Sequence, residues 1–219
     1  MDEGADPHGD QPLVTAGAPR GAAEVAVVLL HGRGATADGV VNLAEPLYSH
    51  GVAFVAPQAS RSRWFPHAAT APVERNEPHL SSAVRAVERA LDQVEAAGIP
   101  PERTVLFGFS QGASLVTEVL LREPRRLGAV VVLSGGFVGP SDRGRPVEGS
   151  LNGTPVFVGC GDADGYVSLD RVRETADAFR ALGGDVTERI YEGLEHAISD
   201  EEFAAVASLV AQVRSSSEE

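Results

Sequence analysis

The chain has 219 residues and a mass of 22.8 kDa, enough for one domain with a sizeable core. Hydrophobic residues make up 43% and charged residues 22%, and no stretch nears the ~18 consecutive apolar residues of a membrane span. A net charge of −13, from 31 acids and 18 bases, argues against nucleic acid and anionic membrane surfaces as partners, because phosphate recognition needs a basic face. Every base is arginine, which fits a GC-rich genome and equally a salt-adapted source. The first thirty residues begin acidic (Asp2, Glu3, Asp6, Asp10) and lack the basic stretch that opens a signal peptide. The single cysteine, Cys160, allows no internal disulfide, so a cytoplasmic location is expected.

Residues 1–22, rich in Gly, Pro, Asp and Ala, read as a flexible arm with an edge strand near 13–15. Apolar runs then alternate with amphipathic stretches. Buried strands are predicted over 24–30 and 52–56, followed by 104–109, 129–133, 155–159 and 186–191. These runs are Val-rich and continuous, the pattern of strands covered on both faces. Helices are predicted over 80–97, 111–122, 169–182 and 200–213. In the first of them Ala83, Val84, Val87, Leu91 and Val94 form one stripe, and Gly98 with Pro100 and Pro101 ends it. Strand–helix alternation predicts an α/β domain over 23–214, a mostly parallel sheet with helices on both faces and no separate cap. Residues 215–219 read as a disordered tail. Two long connections, 57–79 and 135–153, are candidates for function, since long loops in compact domains often carry it.

Gly108-Phe109-Ser110-Gln111-Gly112 is a G-x-S-x-G motif set between a predicted strand and a predicted helix. That is the setting of a nucleophile elbow: a sharp turn exposes the serine over a helix N-terminus, where developing negative charge is favoured. A serine hydroxyl needs a base. Of the six histidines, only His196 follows Ser110, and it sits just past the last predicted strand. The acid is sought after the strand 155–159, where Asp162 and Asp164 compete. Asp164 is preferred, being nearer the middle of the loop with Gly165 behind it; Asp162 would then bond to backbone and orient the loop. An oxyanion hole takes one amide from the residue after the nucleophile, Gln111, and one from the loop after the first core strand, His31-Gly32-Arg33-Gly34, where Arg33 is the candidate. His31 is expected to brace that loop. Trp64 and Phe65 are read as an exposed aromatic pair that binds substrate. His67, Glu74, Glu77 and His79 lack tight metal-ligand spacing, so no metal or other cofactor is implied. Cys160 lacks an elbow and reads as a small filler at a strand end.

Four segments carry a family resemblance: Leu30-His31-Gly32-Arg33-Gly34, Gly108-Phe109-Ser110-Gln111-Gly112-Ala113, Gly161-Asp162-Ala163-Asp164 and Tyr191-Glu192-Gly193-Leu194-Glu195-His196. Together, and in this order over about 26–209, the chain resembles the phospholipase/carboxylesterase family of small α/β-hydrolases, which includes the acyl-protein thioesterases. The stretches 61–67 and 76–80 are similar to its bacterial and archaeal esterase branch. The resemblance implies Ser110 as nucleophile, His196 as base, Asp164 as acid, and the Arg33 and Gln111 amides as oxyanion donors. After the aspartate the family usually continues Pro, hydrophobic, Val, Pro; here Gly165-Tyr166-Val167-Ser168 stands instead. The expected activity is hydrolysis of small to medium carboxylic esters through an acyl-enzyme, with a small-molecule ester as substrate and a monomer or homodimer as the assembly. The alternatives are a thioesterase or lysophospholipase acting on longer chains, and a non-catalytic binding protein on the same fold.

Overall fold

A computed structural model describes residues 6–19, 21–141 and 148–215. Among the described residues seven strands form one sheet: β1 (Leu13–Gly17), β2 (Val25–Leu30), β3 (Val52–Pro57), β4 (Thr104–Phe109), β5 (Ala129–Leu133), β6 (Pro155–Gly161) and β7 (Asp185–Tyr191). Their spatial order is β1-β3-β2-β4-β5-β6-β7. Only β1 runs antiparallel to its neighbour; the others are parallel. Strands β2, β4 and β5 are buried almost throughout, which is why they read as unbroken apolar runs.

Five α-helices among the described residues cover the sheet: α1 (Ala37–Leu43), α2 (His79–Ala96), α3 (Gln111–Arg122), α4 (Leu169–Ala181) and α5 (Asp200–Ser215). Alternate strand residues feed two cores. Val28, Leu106 and Val130 pack with Leu80 and Val87 of α2, Val116 of α3 and Val172 of α4. Val27, Phe107 and Val131 pack with Val40 of α1 and Phe203 and Val206 of α5. The short α1 is absent from the sequence reading. It starts at a Thr36 cap, whose hydroxyl accepts from Gly39 N at 3.0 Å.

The edge strand read near 13–15 is present as β1, whereas the reading of the arm as flexible is corrected for the described residues before it. β1 joins the sheet beside β3, and His8 is only 1% exposed. The segment before β1 is tied to α2: His8 N donates to Ser82 Oγ at 2.9 Å, and the Asp6 carboxylate accepts from Arg89 at 3.3 Å. Composition could not foretell this, because each anchor lies more than 70 residues away in the chain. Of the expected disordered tail, Ser215 closes α5, and 216–219 lie outside the described residues. Among the described residues no helix is long and apolar enough to cross a membrane.

Candidate active site

Ser110 links β4 to α3. Its backbone stands at φ 55°, ψ −119°, a left-handed conformation rare for a residue with a side chain. Two glycines make that turn possible. A Cβ on Gly108 would sit 2.5 Å from the Gly112 carbonyl, and one on Gly112 would run into the Leu30 carbonyl. Strand and helix therefore meet at a distance only glycine allows.

His196 and Asp164 arrive from the loops after β7 and β6. Ser110 Oγ lies 2.8 Å from His196 Nε2, and His196 Nδ1 lies 2.7 Å from Asp164 Oδ2. A carboxylate only accepts, so Nδ1 carries the proton and Nε2 is free to accept from the serine hydroxyl. Asp164 Oδ1 also accepts from the Tyr166 and Val167 amides at 2.8 and 3.1 Å. Burial alone would raise its pKa, but the bonds from His196 and those two amides outweigh it and hold the carboxyl below its ordinary value. Asp162 does different work. Its Oδ1 accepts from Gly193 N at 2.7 Å, tying the loop after β6 to the loop that carries His196.

The third side is the loop after β2. A Cβ on Gly32 would lie 3.4 Å from Ser110 Cβ, so this loop passes directly beside the serine. Gly34 N donates to Ser62 O at 2.7 Å and Ala35 N to Gly32 O at 3.2 Å, whereas the Arg33 N–H meets no acceptor among the described residues. Gln111 N is the first amide of α3 and has no carbonyl of its own helix to bond. His31 braces the loop, with Nε2 accepting from Ala59 N at 3.1 Å and Nδ1 2.8 Å from Gly32 O.

Trp64 and Phe65, expected to face substrate, are 0% and 1% exposed. This corrects the reading of an exposed pair. Trp64 Nε1 donates to His31 O at 2.8 Å, and the indole stacks at a tilt on the His31 ring, with centroids 4.9 Å apart. The two backbones grip the Gln111 side chain: Trp64 N donates to its Oε1 and Phe65 O accepts from its Nε2, both at 2.9 Å. The Arg33 guanidinium bonds the Phe65, Pro66 and His67 carbonyls at 2.7–3.1 Å. The long loop after β3 thus supports the site from behind.

The rings that do flank His196 are Phe109 and Tyr166, with centroids 5.1 and 4.8 Å from the imidazole. Tyr166 is 85% exposed. The sequence reading missed both as neighbours of the site, although each stands within two residues of a candidate it singled out. Cys160 is fully buried, 3.7 Å from Asp164 Oδ2, and burial pushes its thiol up to about 12, so it stays a neutral filler. Glu77 is engaged by Ser81 and Arg122, and among the described residues no three metal-ligating side chains gather.

The family model described as phospholipase/carboxylesterase matches residues 13–213. The chain belongs to the phospholipase/carboxylesterase family. A crystal structure of a phospholipase/carboxylesterase from Dyadobacter fermentans is 35% identical and superposes with a TM-score of 0.86, covering 92% of this chain and 96% of its own. Acyl-protein thioesterase 1 of Candida albicans is 28% identical over 87% of this chain and 93% of its own length. A probable carboxylesterase of Oryza sativa is 30% identical over 84% of this chain and 76% of its own. The protein is accordingly a serine hydrolase of carboxylic esters on an α/β-hydrolase fold.

Proposed function

We propose that Ser110, His196 and Asp164 form the catalytic triad of a carboxylesterase acting on small to medium esters. The observation that carries this is the unbroken hydrogen-bond line from Ser110 Oγ through His196 to Asp164. In the first half-reaction His196 Nε2 takes the Ser110 proton as Oγ attacks the ester carbonyl. The Arg33 and Gln111 amides receive the oxyanion, and Asp164 stabilises the imidazolium. His196 then protonates the departing alcohol, leaving an acyl-Ser110. Water, activated by the same imidazole, releases the carboxylic acid. No step requires a metal or an organic cofactor.

Two observations support a modest acyl size. Ser110 and His196 are only half-buried. Of the two rings that flank His196, Tyr166 is 85% exposed, so this side of the site is open to solvent among the described residues. A second reading, cleavage of acyl thioesters, is favoured by the likeness to the Candida acyl-protein thioesterase.

One set of measurements tests both. A fluorophosphonate reagent should label Ser110, and Ser110→Ala should lower kcat at least ~10⁴-fold with the fold intact. Chromogenic esters of increasing acyl length, each paired with its thioester, then rank the substrates. Labelling of another serine with Ser110 spared would refute the mechanism, and a preference for long-chain thioesters would replace the substrate class.

A further inference from the structure

We propose that His8 is a positioning residue for this site: it clamps a strained turn, Ser60–Trp64, that holds both oxyanion amides in place. The proposal rests on the reading of the Arg33 and Gln111 amides as oxyanion donors.

The turn carries two consecutive residues in the left-handed region, Arg61 at φ 51° and Ser62 at φ 53°. Neither is glycine, so the conformation persists only where its surroundings impose it. His8 grips the turn at both ends. Its Nδ1 accepts from Ser60 N at 3.0 Å, and its Nε2 lies 2.9 Å from Trp64 O. A backbone N–H can only donate, so Nδ1 is the bare nitrogen and Nε2–H donates to the Trp64 carbonyl. One neutral imidazole thus spans the two strained residues. It is 1% exposed and packs against the Trp64 indole, with centroids 5.6 Å apart.

The turn is in turn wired to the site. Ser62 O accepts from Gly34 N, next to Arg33, at 2.7 Å. Trp64 N donates to the Gln111 side chain, and Trp64 Nε1 donates to the carbonyl of His31. The segment carrying His8 is itself fixed to α2, through His8 N to Ser82 Oγ at 2.9 Å, Arg89 to His8 O at 3.1 Å, and the Asp6 carboxylate, which accepts from Ser82 Oγ and pairs with Arg85 and Arg89. The clamp is thus braced on a helix of the core. Without it, the two left-handed residues are free to relax, and Gly34 and the Gln111 side chain lose partners that help aim the Arg33 and Gln111 amides.

An oxyanion donor acts in the transition state, so a displaced donor lowers kcat and spares KM. The test measures hydrolysis of a short-chain chromogenic ester well below the melting temperature, with rates expressed per fluorophosphonate-titrated serine. His8→Ala is expected to lower kcat per titrated site about tenfold, a fraction of the 10²–10³ lost with a whole donor, and to leave KM within about twofold. His8→Asn keeps an acceptor for Ser60 N and should recover part of the loss; equal loss in both variants would contradict the Ser60 bond as the carrier. Ser82→Ala loosens the segment without altering His8 and should move kcat in the same direction, which keeps the test open if His8→Ala fails to fold. A fall in titratable protein or melting temperature with kcat per site unchanged, in His8→Ala or in Ser82→Ala, would mean that the segment only supports the fold and would overturn the clamp. If the wild-type protein is not labelled at Ser110, the reading of the site itself fails. A labelled wild type with unaffected variants sinks the clamp alone.

Discussion

Replacing Trp64 by alanine separates a packing role from a substrate role. The indole is fully buried between the rings of His8 and His31, and its N–H satisfies the His31 carbonyl at 2.8 Å. Truncating a buried Trp costs about 3–5 kcal/mol, and a buried carbonyl left without its donor costs about 1–3 kcal/mol. The two losses overlap, because a cavity at this place admits water to the carbonyl. A net cost of about 4 kcal/mol corresponds, for a chain of this size, to a fall of roughly 8–16 °C in Tm. Thermal melts of wild type and Trp64→Ala measure this directly, and esters of two to ten acyl carbons report any change in selectivity. The expected outcome is a large fall in Tm with an unchanged order of preference among the esters in whatever activity survives. A Tm within about 2 °C of wild type, together with a shifted chain-length preference, would refute the packing role and return Trp64 to the substrate.

Asp164→Asn is expected to lower kcat by about 10⁴ through the wrong imidazole tautomer, whereas Asp162→Asn, which only ties Gly193 N to the loop, should cost far less; steady-state kinetics showing the reverse ranking would reassign the acid. Glu202 is fully buried and its Oε1 has no hydrogen-bond partner among the described residues. Burial raises its pKa, against the opposing Ser199 amide and hydroxyl bonds. A pKa raised in the folded state gives stability that is complete below the unfolded value, about 4.3, and is lost as pH rises through the folded value. The Tm of wild type relative to Glu202→Gln should therefore fall as pH increases from about 4.3, and a difference that stays flat between pH 4 and 8 would contradict this account.

What the sequence revealed and what it hid divide along a physical line. β4 and β5 were legible to the residue because strands covered on both faces must be apolar throughout. Ser110 was legible because the elbow demands glycine at two fixed offsets, and the spacing is itself the constraint. Trp64 was misread because a loop has no periodicity, so nothing local tells which of its side chains turns inward; the partners that bury it, His8 and His31, come from distant parts of the chain. The docking of the segment before β1 was hidden for the same reason. Ser199 and Glu202 form a capping box at the start of α5, each bonding the other's backbone N–H. That S-x-x-E signature was present in the sequence three residues after His196, and it anchors the loop from which the imidazole projects.

Strand register explains why groups so far apart in the chain reach one another. Leu30 pairs with Gly108, Phe109 with Leu133, and Gly161 with Tyr191, so β2, β4, β5, β6 and β7 end at nearly one level. The loops that follow four of them carry Arg33, Ser110, Asp164 and His196, at the carboxyl edge where parallel sheets place their ligand sites. The fifth, β5, lies between the serine and the acid and supplies neither. It sets their separation. Two strand spacings amount to about 9–10 Å between backbones, and in that interval the Ser110 and Asp164 side chains meet the His196 ring with one hydrogen bond on each side. For that to work the chain leaving β5 must pass close to the elbow without shifting it. Directly after β5 the chain reads Ser134-Gly135, and a Cβ on Gly135 would lie 2.7 Å from Ser110 O and 2.5 Å from Ala113 Cβ. Glycine at this position lets the β5 loop pass beneath the elbow without displacing it.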